Sequence, residues 1–338
     1  MKPAVADPMP IARLACLYPS WFAVVMGLCG FSLAWRRVDG EVAAAVSAAS
    51  GMAAALCFAA LLLFSVLRVV RHPQAVREDW QHPVRHAFFA AVPISMILLA
   101  TVAVAHGVDA DVAHGLWVTG ALLQLGVTVW VLSRWLRSAD GKLAWPSFTP
   151  VLFIPVVGNV LAPLAGGALG HPDWAAAQFG IGLFLWPVVL TLLVVRIGVI
   201  GLWPARLLPT TFITVAPPSV VGLAMLQMQW PPLLAWMSWG VALYFLLWAS
   251  TLVPRLRAQP FGLPFWGMSF PLAAFAALSL RLAAVSGTTV GSLAAVATLA
   301  LATAVVAGLV ALTLRGLVNG SLLVPEPAPP AAQIAPGQ

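Results

Sequence analysis

The sequence predicts an all-α protein that crosses a membrane many times, and three observations carry that expectation. Hydrophobic residues make up 62% of the 338 and charged residues only 8%, for a mean hydropathy of +0.98; a soluble domain carries about 25% charged residues. The apolar residues gather in runs, several of them longer than the about 20 residues a helical span requires. The sequence shows none of the alternating segments that build a transmembrane barrel.

Polar breaks divide the chain into ten expected spans, near 17–35, 43–68, 86–106, 113–133, 148–169, 174–196, 210–227, 231–253, 264–285 and 291–314, read as five helical hairpins. They form one transmembrane domain over 17–318, between an N-terminal segment, 1–16, and a tail, 319–338. The tail ends in PEPAPPAAQIAPGQ, which has no periodicity and is expected to be disordered. No cleavable signal peptide is expected from MKPAVADPMP, which lacks an apolar core after its charge.

Taken in order, the spans alternate in character. Span one holds Pro19 and places Ser20, Ala23, Gly27, Gly30 and Ala34 on one helical face. Span two is rich in Ala and Leu. Span three carries Pro93 and Ser95, and span four is plainer. In span five Pro155 and Pro163 flank Asn159, and Pro155, Asn159, Ala162 and Gly166 share a face. Span six has Pro187. Span seven aligns Thr211, Thr214 and Pro218, running on to Gly222 and Met225, and span eight is again plain. Span nine holds Pro271 and lines up Gly267, Phe270, Ala274, Ala277 and Arg281, because eleven residues are close to three turns. Span ten has no proline. Proline thus lies inside every odd span but, apart from Pro231 and Pro232 at the very start of the eighth, only inside the sixth among even ones. Since proline removes a helix hydrogen bond and kinks the helix, Pro93, Pro155, Pro163, Pro218 and Pro271 are expected kinks. Kinked odd helices are then expected to form an inner ring within a lipid-facing shell of even ones.

The small faces of the odd spans have two readings that remain open here. Gly, Ala and Ser let helices pack closely, and they also suit the wall of a narrow conduit. Arg281 is open in the same way: it faces an aqueous cavity, or it snorkels to the interface.

Charge sets the expected orientation. Fourteen of the seventeen basic residues fall on the side of the termini: Lys2, Arg13, Arg68, Arg71, Arg77, Arg85, Arg134, Arg137, Lys142, Arg196, Arg206, Arg255, Arg257 and Arg315. By the positive-inside rule both termini are expected in the cytoplasm. The basic residues are scattered between spans, which is no nucleic-acid signature. No Asp or Glu lies within a span, and all six His fall in loops or at span ends. A cation-coupled carrier ordinarily keeps a titratable group at depth, and a membrane hydrolase needs a nucleophile and base there. Neither enzyme activity, cofactor nor metal is therefore expected. Cys16, Cys29 and Cys57 have no ligand spacing and read as small apolar residues.

Four stretches carry a family resemblance: FAVVMGLCGFSLAW in span one, HPVRHAFFAAVPISMILLA entering span three, PVVGN in span five and FWGMSFPLAAFAALSLRLA in span nine. The chain resembles the tellurite-resistance/dicarboxylate transporter family over nearly its whole length. That family includes bacterial tellurite-resistance homologues and the plant slow anion channels. The resemblance implies a pseudo-five-fold protomer with a central pore, assembly as a homotrimer, and a phenylalanine of the SFP motif, here Phe270, plugging the pore. The long cytoplasmic tails of the plant channels have no counterpart here, so kinase control is not expected. The expected function is a gated passive channel for small inorganic anions such as chloride or nitrate, lipid-embedded in a bacterial inner membrane. Gly267, Ala274, Ala277, Ser20, Gly27 and Arg281 are its expected wall, with Ser95, Asn159, Thr211 and Thr214 as weak donors. The alternative is a proton-coupled carrier for dicarboxylate, sulfite or tellurite-type oxyanions.

Overall fold

The computed structural model describes residues 10–136 and 145–325. The tail from 326 onward, and with it most of the expected disordered segment, lies outside the described residues, as do Lys2, Arg137 and Lys142. Every regular element among the described residues is helical. The apolar segments, numbered α1 to α10, are Pro19–Trp35, Glu41–Arg71, Arg85–Ala105, Ala110–Arg134, Pro150–Gly166, Pro172–Ile200, Ala205–Gln227, Pro232–Ser250, Leu263–Ser286 and Thr289–Val318. They follow the ten expected spans in order, with ends shifted by a few residues. Eight are long and apolar enough to cross a membrane; α1 and α5 are shorter. The protein is thus an all-α polytopic membrane protein. Short helices that apolar runs do not reveal, Pro10–Ala15, Pro73–Gln81 and Val253–Arg257, lie between or before the segments.

Two layers are evident from burial. In the most apolar stretch of α3, α7 and α9, 78%, 94% and 72% of residues are buried inside the chain. In α2, α4, α6, α8 and α10 the figures are 22%, 33%, 17%, 28% and 28%. Each even segment packs on the odd one before it, and the odd segments touch in a closed cycle, α1 to α3 to α5 to α7 to α9 and back to α1. An inner helix has no lipid face to distinguish, so its sequence is apolar on every side. At the last hairpin, α9 stops at Gly287 in the left-handed region, φ 62°, where a residue without Cβ is favoured. Thr288 then caps α10, its Oγ1 accepting from the Gly291 amide at 3.2 Å.

The prolines do something more specific than kink. Each odd segment opens as a 3₁₀ helix and converts to an α-helix partway: at Phe22, Ala91, Phe153, Ala216 and Ser269. Pro93, Pro155, Pro218 and Pro271 are each the third residue of the α part. Pro163 is the first residue of the short helix Pro163–Gly166. In its first turn an α-helix has amides without an i−4 partner inside the helix, so a missing N–H there costs little. The expected interior kinks are therefore corrected to junctions between two helix types, repeated around the ring.

Around α5 the break is deepest, and α4 repairs it. The Pro155 carbonyl accepts from Gln124 Nε2 at 2.7 Å and lies 2.5 Å from Thr128 Oγ1. Asn159 Nδ2 donates to Thr128 Oγ1 at 2.8 Å. A Cβ on Gly158 would sit 2.3 Å from Gln124 Nε2, so the close approach needs glycine.

The HPVR stretch is a turn held by its own histidine. His82 Nδ1 accepts the Val84 and Arg85 amides, both at 3.1 Å, just before the 3₁₀ start of α3. Arg85 Nη1 then pairs with Asp79 at 2.8 Å, and Arg68 of α2 pairs with the same buried carboxylate at 2.7 Å. These contacts bind α2, the Pro73–Gln81 helix and α3 at the end of the molecule that carries the termini.

Candidate conduction path

Two cavities of about 50 Å³ each lie on the axis of the inner ring. The terminus-side cavity is walled by early residues of the odd segments, among them Ala23, Ile94, Ile154, Thr210, Gly267 and Phe270. The far-side cavity is walled by their late residues, among them Gly30, Leu98, Leu164, Leu223, Ala274 and Ala277. All five odd segments contribute to both walls and no even segment contributes to either. Phe270 belongs to both walls. Its ring is buried, and Gly30 makes room for it: a Cβ on Gly30 would lie 2.9 Å from Phe270 Cδ2.

On α9, Gly267, Phe270, Ala274 and Ala277 of the expected face line the cavities, joined by Pro271. Elsewhere the face is displaced. Ser95 is buried and donates to the Ala91 carbonyl at 2.7 Å, not into a cavity. Thr211 donates to the Leu208 carbonyl at 2.6 Å, and Thr214 to that of Thr211 at 2.8 Å. Asn159 spends its amide on α4 and on α5 itself. Gly27 serves close packing, because a Cβ there would lie 2.2 Å from Ser269 Oγ. Ser20 is on neither wall. The Ser95, Thr211 and Thr214 hydroxyls each bond back to a carbonyl three or four residues earlier in the same segment, so the proton is not offered to a cavity.

The 3₁₀ geometry also shifts the register. In α7 the wall steps by three through Thr210, Ile213 and Ala216, then by four and three through Val220 and Leu223 to Gln227. A 3₁₀ helix turns in three residues and an α-helix in 3.6. The expected face starts one residue later, at Thr211, and so runs beside the wall from its first member. The walls that result are mostly apolar, and Met26, Leu98, Ile213 and Leu223 were not legible, because nothing polar marks their stripe.

Polar character is confined to one side. On the terminus-side wall Thr210 is the one residue with a polar side chain besides the Trp266 indole. The far-side wall holds Arg37, Thr101 and Gln227. Among the described residues no Asp, Glu or His lines either cavity. Arg281 is beside the wall rather than on it: it donates to Gln227 Oε1 at 2.9 Å and to the Leu226 carbonyl at 3.2 Å, tying α9 to the end of α7. The cation on that wall is Arg37, in the turn just past α1. Desolvation, and after it the Arg281 charge, lower the Arg37 pKa to about 10, so it stays protonated at neutral pH. Two neighbouring guanidinium groups with no carboxylate on the wall make this vestibule electropositive.

A family model described as SLAC1, voltage-dependent anion channel, matches residues 17–314. The chain is 26% identical over 255 residues to the S-type anion channel SLAH3 of Arabidopsis thaliana, across 74% of this chain and 39% of that protein. It is 28% identical over 214 residues to SLAH2 of the same plant, across 62% and 40%. It thus matches about two fifths of the length of these two relatives. To the tellurite resistance protein TehA homologue of Haemophilus influenzae it is 25% identical over 280 residues, across 79% and 82%.

Proposed function

Because the chain belongs to the SLAC1 family of voltage-dependent anion channels, we propose that it is a gated, passive channel for small anions such as chloride and nitrate, held shut by Phe270. The family is one of channels and transporters rather than enzymes. One observation carries the reading: a single aromatic ring is the shared wall of two cavities that otherwise run along the axis of the five-segment ring. An apolar constriction of this kind stops ions by keeping the passage dry. Arg37 and Gln227 would gather anions in the far-side vestibule without holding them tightly, and loose binding suits conduction. Among the described residues, neither wall holds the Asp, Glu or His that a proton-coupled carrier requires.

In this reading the protein assembles as a homotrimer in a bacterial inner membrane with both termini in the cytoplasm, each protomer having its own pore. The deciding experiment is Phe270→Ala, recorded in planar bilayers or oocytes with protein at the membrane verified. Anion current rises severalfold or more over wild type, and its reversal potential follows the chloride gradient. A current unchanged from wild type would overturn the gate, and a current that requires a proton gradient would overturn the passive channel.

A further inference from the structure

We propose that His114 and His171 form a two-histidine site for a divalent transition-metal ion, at the end of the protein away from the termini, where α4 meets the loop between α5 and α6. The two Nε2 atoms lie 2.7 Å apart. The ring centroids are 4.9 Å apart with planes at 26°, so the rings meet edge to edge with these nitrogens facing each other. Two neutral imidazoles make that contact only when one ring carries its proton on Nε2 and the other on Nδ1. Moving the first proton to Nδ1 leaves two lone pairs converging on one point, which is how neutral histidines bind a metal. With metal–nitrogen distances of about 2.0–2.1 Å and near-tetrahedral angles, the nitrogens would stand about 3.3 Å apart. Seating an ion therefore asks the rings to part by roughly half an ångström and to tilt.

The site is built on fixed parts. His171 lies parallel to the Trp117 indole, centroids 5.3 Å apart and planes at 5°. Trp117 is buried and donates from Nε1 to the Ala162 carbonyl at 3.1 Å. The His171 amide donates to the Gly166 carbonyl at 2.8 Å, and its carbonyl accepts from Ala175 at 3.0 Å. His114 stands exposed on the second turn of α4, able to adjust. Asp111 and Asp173, in the first turns of α4 and α6, offset the positive ends of those helices. Among the described residues no third His, Cys, Asp or Glu completes a cluster. Water would fill the remaining positions, and the site is weaker than a closed structural zinc site. A bound ion would tie α4 to the end of the inner segment α5, and the proposal assumes nothing about conduction.

The test uses the full chain, purified without a histidine tag, with Zn²⁺ alone in calorimetry and Cu²⁺ alone in electron paramagnetic resonance. One ion binds per chain, and the Cu²⁺ spectrum shows coupling to two imidazole nitrogens. His114→Gln and His171→Gln each weaken binding by about tenfold or more and remove one nitrogen coupling, whereas His106→Gln changes neither. Thermal unfolding without metal confirms that the variants are folded. Binding undiminished in the double variant, or no stoichiometric ion on the wild-type chain, overturns the site and leaves the pair as a hydrogen bond only.

Discussion

Adding one carbon at Gly30 tests the seat of Phe270 more sharply than removing the ring. A Cβ at that position falls 2.9 Å from Phe270 Cδ2 and 3.3 Å from Ala273 Cβ. Carbon atoms prefer separations of about 3.5–4.0 Å, so the ring must retreat by roughly 0.6 Å or more while Ala273 gives by a few tenths. Overpacking of this kind costs about 1–3 kcal/mol, against about 1 kcal/mol regained when alanine replaces glycine within a helix. Gly30→Ala therefore destabilises the wild-type chain by about 0–2 kcal/mol. In the Phe270→Ala background the ring contact is gone, and the same substitution becomes neutral or stabilising by up to about 1 kcal/mol. The coupling between the two positions is about 1–3 kcal/mol. Unfolding of the four proteins in detergent measures it, and bilayer currents give a second reading. Displacing the ring raises current when Phe270 is present and adds nothing when it is absent. Equal stability costs in both backgrounds would refute the reasoning, since the added carbon would then not be meeting the ring.

Arg37→Gln lowers anion current more at low than at high ionic strength, because salt screens the vestibule field; Arg281→Gln, one position behind the wall, gives the smaller effect. A loss from Arg37→Gln that is the same at every salt concentration would reject field focusing. His82 makes stability depend on pH. Desolvation and then the charges of Arg85 and Arg206 lower its folded-state pKa to about 4 from 6.5. The unfolded chain binds the proton first as pH falls, so this stability is present above about pH 6.5 and is lost toward pH 4. Because the ring is half-exposed, the effect is discounted to about 1 kcal/mol. His82→Asn keeps an acceptor for the following amides and should flatten that part of the thermal midpoint against pH; an unchanged profile would show that other groups set it.

Much of the architecture was legible in the chain. The apolar segments, their pairing and the division into buried odd and more exposed even helices follow from where proline and apolar runs fall, since a span must close its own backbone hydrogen bonds. The small face of α9 was legible too, because past Ser269 that segment is α-helical and its period of 3.6 applies. The donors expected at Ser95, Asn159, Thr211 and Thr214 are on neither cavity wall. Their hydroxyls and amide bond carbonyls three or four residues earlier in the same segment, a choice that helical spacing along the chain does not reveal.

By itself the sequence determined the class, the segment order and the position of Phe270 on a small-residue face, because hydropathy and helical period act along one chain. Tertiary structure alone decided that Phe270 borders two cavities, that Gly30 makes room for its ring, and that Arg37 rather than Arg281 reaches the wall. Those facts depend on how five helices, apolar on all sides and each switching from 3₁₀ to α at its own residue, rotate against one another as the ring closes. A sequence with no polar stripe carries no mark of that rotation.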